Sequence, residues 1–259
     1  MTVNADMVRS IVERIAVRGE DDGECFTNTA RADAIAECLK DGDWRLYHDG
    51  NLAKIYVHRD FEPKKPVVVV SSHVDMVAKS CYAECLGDIW KGSFDNLITN
   101  AVVVACMNTG AFGTDVLVAF TGDEEEESGG ADEVVEALDE REIAVKFVVV
   151  TDVTEEGWHR GKSFTIENVF PEEDEEMQRR QAATLRGMVT DLDPLPCVVV
   201  EGAADEAWEY DEYGLPCCSV CMPCTGEMHS EEGVEVRASS IAPYAQALAA
   251  VTTGIIAGE

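Results

Sequence analysis

The stretch Val67-Val68-Val69-Val70-Ser71-Ser72-His73-Val74-Asp75 narrows the folds open to this chain more than any other. Four valines in succession are too short for a helix core and have the composition of a strand buried on both faces. The run delivers His73 and Asp75 just past its end, and in open α/β sheets ligands gather at the carboxyl ends of strands. Two other apolar runs finish in the same manner. Val116 to Thr121 leads into Gly122-Asp123-Glu124-Glu125, and Phe147 to Thr151 leads into Asp152. Three buried strands that each deliver acids or a histidine at one end predict a metal site on the rim of a sheet.

Around these strands the pattern alternates. Ala5 to Val17 carries Met7, Ile11 and Ile15 at helical spacing, and the segment Gly19 to Gly23 breaks it. A second amphipathic helix is expected over Ala30 to Leu39. Trp44 to His48 and Leu52 to His58 read as a hairpin about Asp49-Gly50-Asn51. About twenty residues after Asp75 read as irregular loop, followed by an apolar helix over Asn100 to Met107. Ala131 to Leu138 reads as a helix, Glu156 to Phe170 as a polar hairpin, Glu172 to Thr184 as a charged helix, and Cys197 to Glu201 and Cys217 to Met222 as strands. Val234 to Ile256 is expected to close the chain as one long helix. Strand and helix alternate throughout, so the class is α/β.

Composition removes several function classes. The 259 residues hold 51 acids against 20 bases, a net charge of −31, which leaves no basic footprint for nucleic acid. Such a surface is strongly hydrated and self-repelling, and it is similar to that of proteins from halophiles. No N-terminal stretch has a signal peptide's apolar core and no segment reads as membrane-spanning, so a cytoplasmic chain without membrane contacts is the expectation. In that setting the ten cysteines are expected to be mostly reduced thiols. The spacing of Cys217, Cys218, Cys221 and Cys224 allows a metal knuckle, but residues three apart on a strand face opposite sides.

Five candidate ligands lie in or beside loops: His73, Asp95, Glu125, Asp152 and His229. Nitrogen with carboxylate donors suits zinc, manganese or cobalt better than calcium. Two ions about 3.5–4 Å apart can activate a shared water and clamp a substrate oxygen. The neighbours Glu124 and Glu125 offer two roles, one binding metal and the other moving a proton.

These motifs, in their order, resemble the zinc exopeptidase superfamily of leucyl-type, glutamyl and tetrahedral aminopeptidases and acetylornithine deacetylase-like deacylases. The resemblance is carried by Ser72-His73-Val74-Asp75, Phe94-Asp95-Asn96, Phe120 to Glu125 with Gly130-Ala131, Asp152-Val153-Thr154, and Gly214 through Ser230. It implies a three-layer sandwich, a mixed, mostly parallel sheet with helices on both faces. It also implies two divalent ions, with zinc the default, and a small peptide as substrate. In that scheme Asp95 bridges, His73 and Asp152 complete one site, and Glu125 and His229 complete the other. Asp75 orients His73, and Glu124 is the general base, because Gly130-Ala131 follows at the family's offset only for the pair Glu124-Glu125. Thr99 departs from the small residue the family often has four positions after the bridging aspartate. The short intervals from His73 to Asp95 and from Asp152 to His229 imply one catalytic domain over 1–259, with neither an inserted dimerisation domain nor a lid. Oligomeric state stays open. The leading expectation is a dinuclear metal-dependent aminopeptidase. An N-acyl amino-acid deacylase or dipeptidase with the same site is the alternative, and a non-catalytic scaffold is the second.

Overall fold

A computed structural model describes residues 2–18, 29–170, 175–192 and 205–258. The expected break at Gly19 to Gly23 and the strand at Cys197 to Glu201 lie outside them. The described chain is a three-layer α/β structure built on one mixed sheet.

The valine run is β3 (Val67–His73), buried along its whole length. It lies between β6 (Val116–Thr121) and β7 (Val145–Thr154), parallel to both, and β7 is parallel in turn to β9 (Cys217–Gly226). Antiparallel strands flank this parallel centre. On one side β2 (Ala53–His58) joins β6, and β1 (Trp44–Asp49) forms the outer strand of the expected hairpin. On the other side the end of β9 pairs with β10 (Val234–Arg237), then β5 (Ile89–Gly92) and β4 (Ala83–Glu84). A further strand, β8 (Thr165–Phe170), lies antiparallel to the first half of β9.

Alternation along the central strands creates two cores. Val68 and Val70 face one, with α1 (Ala5–Ile15), α2 (Thr29–Leu39), α3 (Phe94–Thr109) and α7 (Ile241–Ala257). Val67 and Val69 face the other, with α4 (Gly129–Asp139) and α6 (Glu206–Glu212). The charged helix α5 (Glu175–Val189) packs on α7. Helix α1 shows why these segments are helical: Asn4 caps it by accepting from the Met7 N–H at 3.0 Å, and Val8, Ile11, Val12 and Ile15 form its buried stripe.

Three expectations are corrected. The loop after Asp75 contains the β4–β5 hairpin, seated against β10. Glu156 to Phe170 is no hairpin of its own; a short turn at Trp158–Arg160 precedes β8, which takes β9 as partner. The segment from Val234 is two elements. Val234 and Val236 are buried with Glu235 and Arg237 more exposed, a strand's alternation, and the helix starts only at Ile241. By length and composition Ala238–Ala257 is apolar enough to cross a membrane, and it lies more than half buried in the fold.

Candidate metal centre

Every residue of the expected constellation reaches the carboxyl ends of the parallel strands. The chain leaves β3 and continues into β6 on one side and β7 on the other, so the crevice lies at a switch point of the sheet. His73 is the last residue of β3. Its Nδ1 lies 3.2 Å from Asp75 Oδ1, while Asp75 Oδ2 accepts from the Glu125 N–H at 3.2 Å. Asn100 fixes the strand end by donating to Ser72 Oγ and to the His73 carbonyl, each at 2.8 Å.

With Nδ1 engaged, His73 Nε2 points into the crevice. It is buried and makes no hydrogen bond, yet it lies 3.3 Å from Asp95 Oδ1, 3.7 Å from Asp152 Oδ1 and 3.9 Å from Glu124 Oε2. The second oxygen of Asp95 faces His229 Nε2 at 3.4 Å, and that nitrogen is 3.1 Å from Glu125 Oε2. Asp95 therefore stands between two imidazoles with one oxygen toward each. Among the described residues, donor atoms of His73, Asp95 and Asp152 form one cluster within 4.8 Å, and those of Asp95, Glu125 and His229 form another. His73 with Glu124 and Glu125 makes a third. Cysteines contribute to none of these clusters, and the thiols of β9 are buried and free of disulfides.

Local backbone explains how each side chain arrives. Asp95 and Asn96 have non-helical angles inside α3. Asn96 Nδ2 donates to the Thr151 carbonyl at 2.6 Å, tying this bend to β7 next to Asp152. Thr99 donates its hydroxyl to the Asn96 carbonyl at 2.9 Å, which gives the departure from a small residue a structural role. The loop carrying Glu124 and Glu125 hangs between Gly122, whose N–H donates to the Leu52 carbonyl at 2.7 Å, and Ser128, whose N–H donates to the Asp123 carbonyl at 2.6 Å. Asp123 has φ of 65° and His229 has φ of 64°, a left-handed backbone that non-glycine residues hold only where the surroundings enforce it.

The electrostatics are those of an acid-rich cavity. Burial would lower His73, but Glu124, Asp152, Asp75 and Asp95 together raise it well above the ordinary imidazole value. Contacts with Asp95 and Glu125 push His229 up to about 10. Burial drives Asp152 up to about 7 and raises Glu124 well above the carboxylate range, with neighbouring acids adding to each. Asp95 is buried too, but the two imidazoles hold it low. Among the described residues the two histidines are the cations paired with these five carboxylates.

Sequence reasoning missed a second tier of acids: Glu167, Asp205 and Glu206, all buried beneath the crevice. In a chain with 51 acids they carry no motif, and the one available signal was the spacing of Ala207 and Tyr210, which marks α6 as a helix with a buried face. Beside Asp95, Glu125 and His229 opens a small cleft lined also by Met76, Phe94 and Met228.

No family model matches this sequence, and no curated protein matches it either. Solved structures match in fold. A TET aminopeptidase from a marine sediment Thaumarchaeota archaeon aligns with a TM-score of 0.75 at 11% identity, over 99% of each chain. Aminopeptidase PepT from Bacillus cereus aligns with a TM-score of 0.69 at 11% identity, over 98% of this chain and 99% of that one. The LapA aminopeptidase of Legionella pneumophila gives 0.65 at 13% identity, over 97% of this chain and 70% of its own. The fold is that of these aminopeptidase structures, at identities that speak for architecture alone.

Proposed function

We propose that this chain is a metal-dependent aminopeptidase with a paired-ion site, the whole chain forming one catalytic unit. The observation that carries the reading is His73 Nε2. It is a buried nitrogen with no hydrogen bond, held in its tautomer by Asp75 and facing three carboxylates at 3.3–3.9 Å. Burying so many acids around it is costly unless positive charge is supplied. The donor chemistry, imidazole with carboxylate, fits divalent zinc, cobalt or manganese. His73, Asp95 and Asp152 would hold one ion, and Asp95, Glu125 and His229 the other.

Bound ions would polarise a scissile carbonyl and bring the pKa of water toward neutrality. The residues of the chain do the rest. Glu124 takes a proton from the attacking water and passes it to the leaving amine nitrogen, a task that suits a carboxyl made more basic by burial. Asp75 keeps the His73 ring oriented. Among the described residues no lysine or arginine lines the cleft beside Glu125 and His229.

The test is hydrolysis of aminoacyl-anilides by metal-depleted and zinc-loaded protein. Glu124→Gln should lower turnover by about 10²–10⁴-fold while zinc still binds. A fully active Glu124→Gln variant would refute its role. Cleavage of N-acetyl amino acids with no anilide release would assign a deacylase, and absence of bound ions after reconstitution would leave a scaffold.

A further inference from the structure

The start of α6 brings two acids under the crevice. Asp205 is satisfied: it accepts from Asn168 Nδ2 at 2.9 Å, from Ser219 Oγ at 2.5 Å and from the Ala207 N–H at 2.9 Å. Glu206 is not. It is 1% exposed, its Oε2 accepts from Ser71 Oγ at 2.7 Å, and its Oε1 makes no hydrogen bond. Tyr210 OH lies 3.0 Å from the same Ser71 oxygen, giving a short relay from Tyr210 through Ser71 to Glu206. Ser71 lies two residues before His73 and shares its face of β3. The groups within electrostatic reach of Glu206 are the Thr121 hydroxyl at the end of β6, which favours its charge, His73 at the end of β3, Asp75 just after it, Glu124 on the loop after β6, and Tyr210 on α6 itself. Two of these neighbours are acids, which repel it.

A carboxyl with a bare buried oxygen, set among other acids, is a liability to the metal-free fold. It becomes an asset once positive charge occupies the crevice above it. We propose that Glu206 is a positioning residue for the paired-ion site: held by Ser71 beneath His73, it supplies negative charge that retains the ions without touching them. This rests on the function proposed above. Burial pushes Glu206 up to about 7, in keeping with a group whose charge lacks compensation in the metal-free chain.

Glu206→Gln keeps the shape and an oxygen for Ser71 to bond, and removes only the charge. Zinc titration by calorimetry and thermal melting with and without zinc, on wild type and variant, give the test. The variant should bind zinc about tenfold more weakly. It should melt at an equal or higher temperature without zinc and gain less from zinc than wild type does. A structural role would instead lower the melting temperature in both states with affinity unchanged, and that result, or equal affinity and equal gain, overturns the proposal. Should Glu206→Gln fail to fold, Ser71→Ala removes the donor that holds the carboxylate. It should also weaken zinc binding, and unaltered affinity would overturn the idea. Wild-type protein that binds no zinc defeats the metal reading itself, before any variant is compared.

Discussion

Asp75 joins the two halves of the crevice. One oxygen meets His73 Nδ1 and the other takes the Glu125 N–H, so a single carboxylate sets a ring on one strand and a backbone on the next loop. Asp75→Asn keeps the size but offers an amide where one of these partners needs an acceptor. Zinc affinity should fall by about 10–100-fold, measured by competition with a chelator, while far-ultraviolet circular dichroism stays unchanged. Affinity equal to wild type would show that the ring needs no such support. The seven residues of the expected constellation, which the structure brings together, could be picked out because each sits in a local word: an acid or imidazole at or near the end of a buried strand, or beside a loop. Glu206 was illegible for the converse reason. Its role comes from Ser71, distant in sequence, and from the loss of solvent, and neither is written near position 206.

At the scale of elements, the β1–β2 hairpin and the glutamate loop are braced by α4. Glu133 accepts from the N–H groups of Asn51, Leu52 and Ala53 at 3.0, 2.5 and 3.1 Å, and His48 Nε2 lies 3.1 Å away. Leu52 in turn holds Gly122. Glu133→Ala should cost about 2 kcal/mol in urea unfolding, since it leaves three backbone donors without their acceptor; a loss below experimental error would mean water replaces it. Gly130 is tighter still. A Cβ there would lie 2.5 Å from the Gly122 oxygen and 2.7 Å from its nitrogen, so Gly130→Ala must displace the loop that carries Glu124 and Glu125. Its expected cost is about 1–3 kcal/mol with a fall in zinc affinity, and an intact affinity would show the loop can shift harmlessly. The elements read correctly from sequence were those with long apolar runs or clear punctuation. Those missed were short. The strands β4 and β5 contribute only Ala83–Glu84 and Ile89–Gly92, and β10 has two buried valines, too few to set a period against the helix that follows.

Across the whole molecule, charge dominates. Glu167 and Glu206 are both pushed up to about 7 by burial. An acid whose folded pKa is raised binds its proton more tightly in the folded state. The stability it gives is therefore complete below the ordinary value of about 4.3 and lost as pH climbs through 7. Metal-free protein should lose urea resistance between pH 5 and pH 8, and Glu167→Gln should flatten that slope; a slope of opposite sign would contradict the assignment. The net charge of −31 acts in the same direction, so added salt should raise the melting temperature of metal-free protein, and indifference to salt would argue against self-repulsion. One feature of the architecture also governs how the molecule is made. Helix α7 buries Ile241, Tyr244, Leu248 and Val251 in the larger core, yet it follows every strand of the sheet in chain order. During synthesis the valine-rich face of the central strands is finished well before its last cover leaves the ribosome. The nascent chain thus passes through a stage with an open apolar sheet, when a chaperone or a second nascent chain competes with a helix not yet translated.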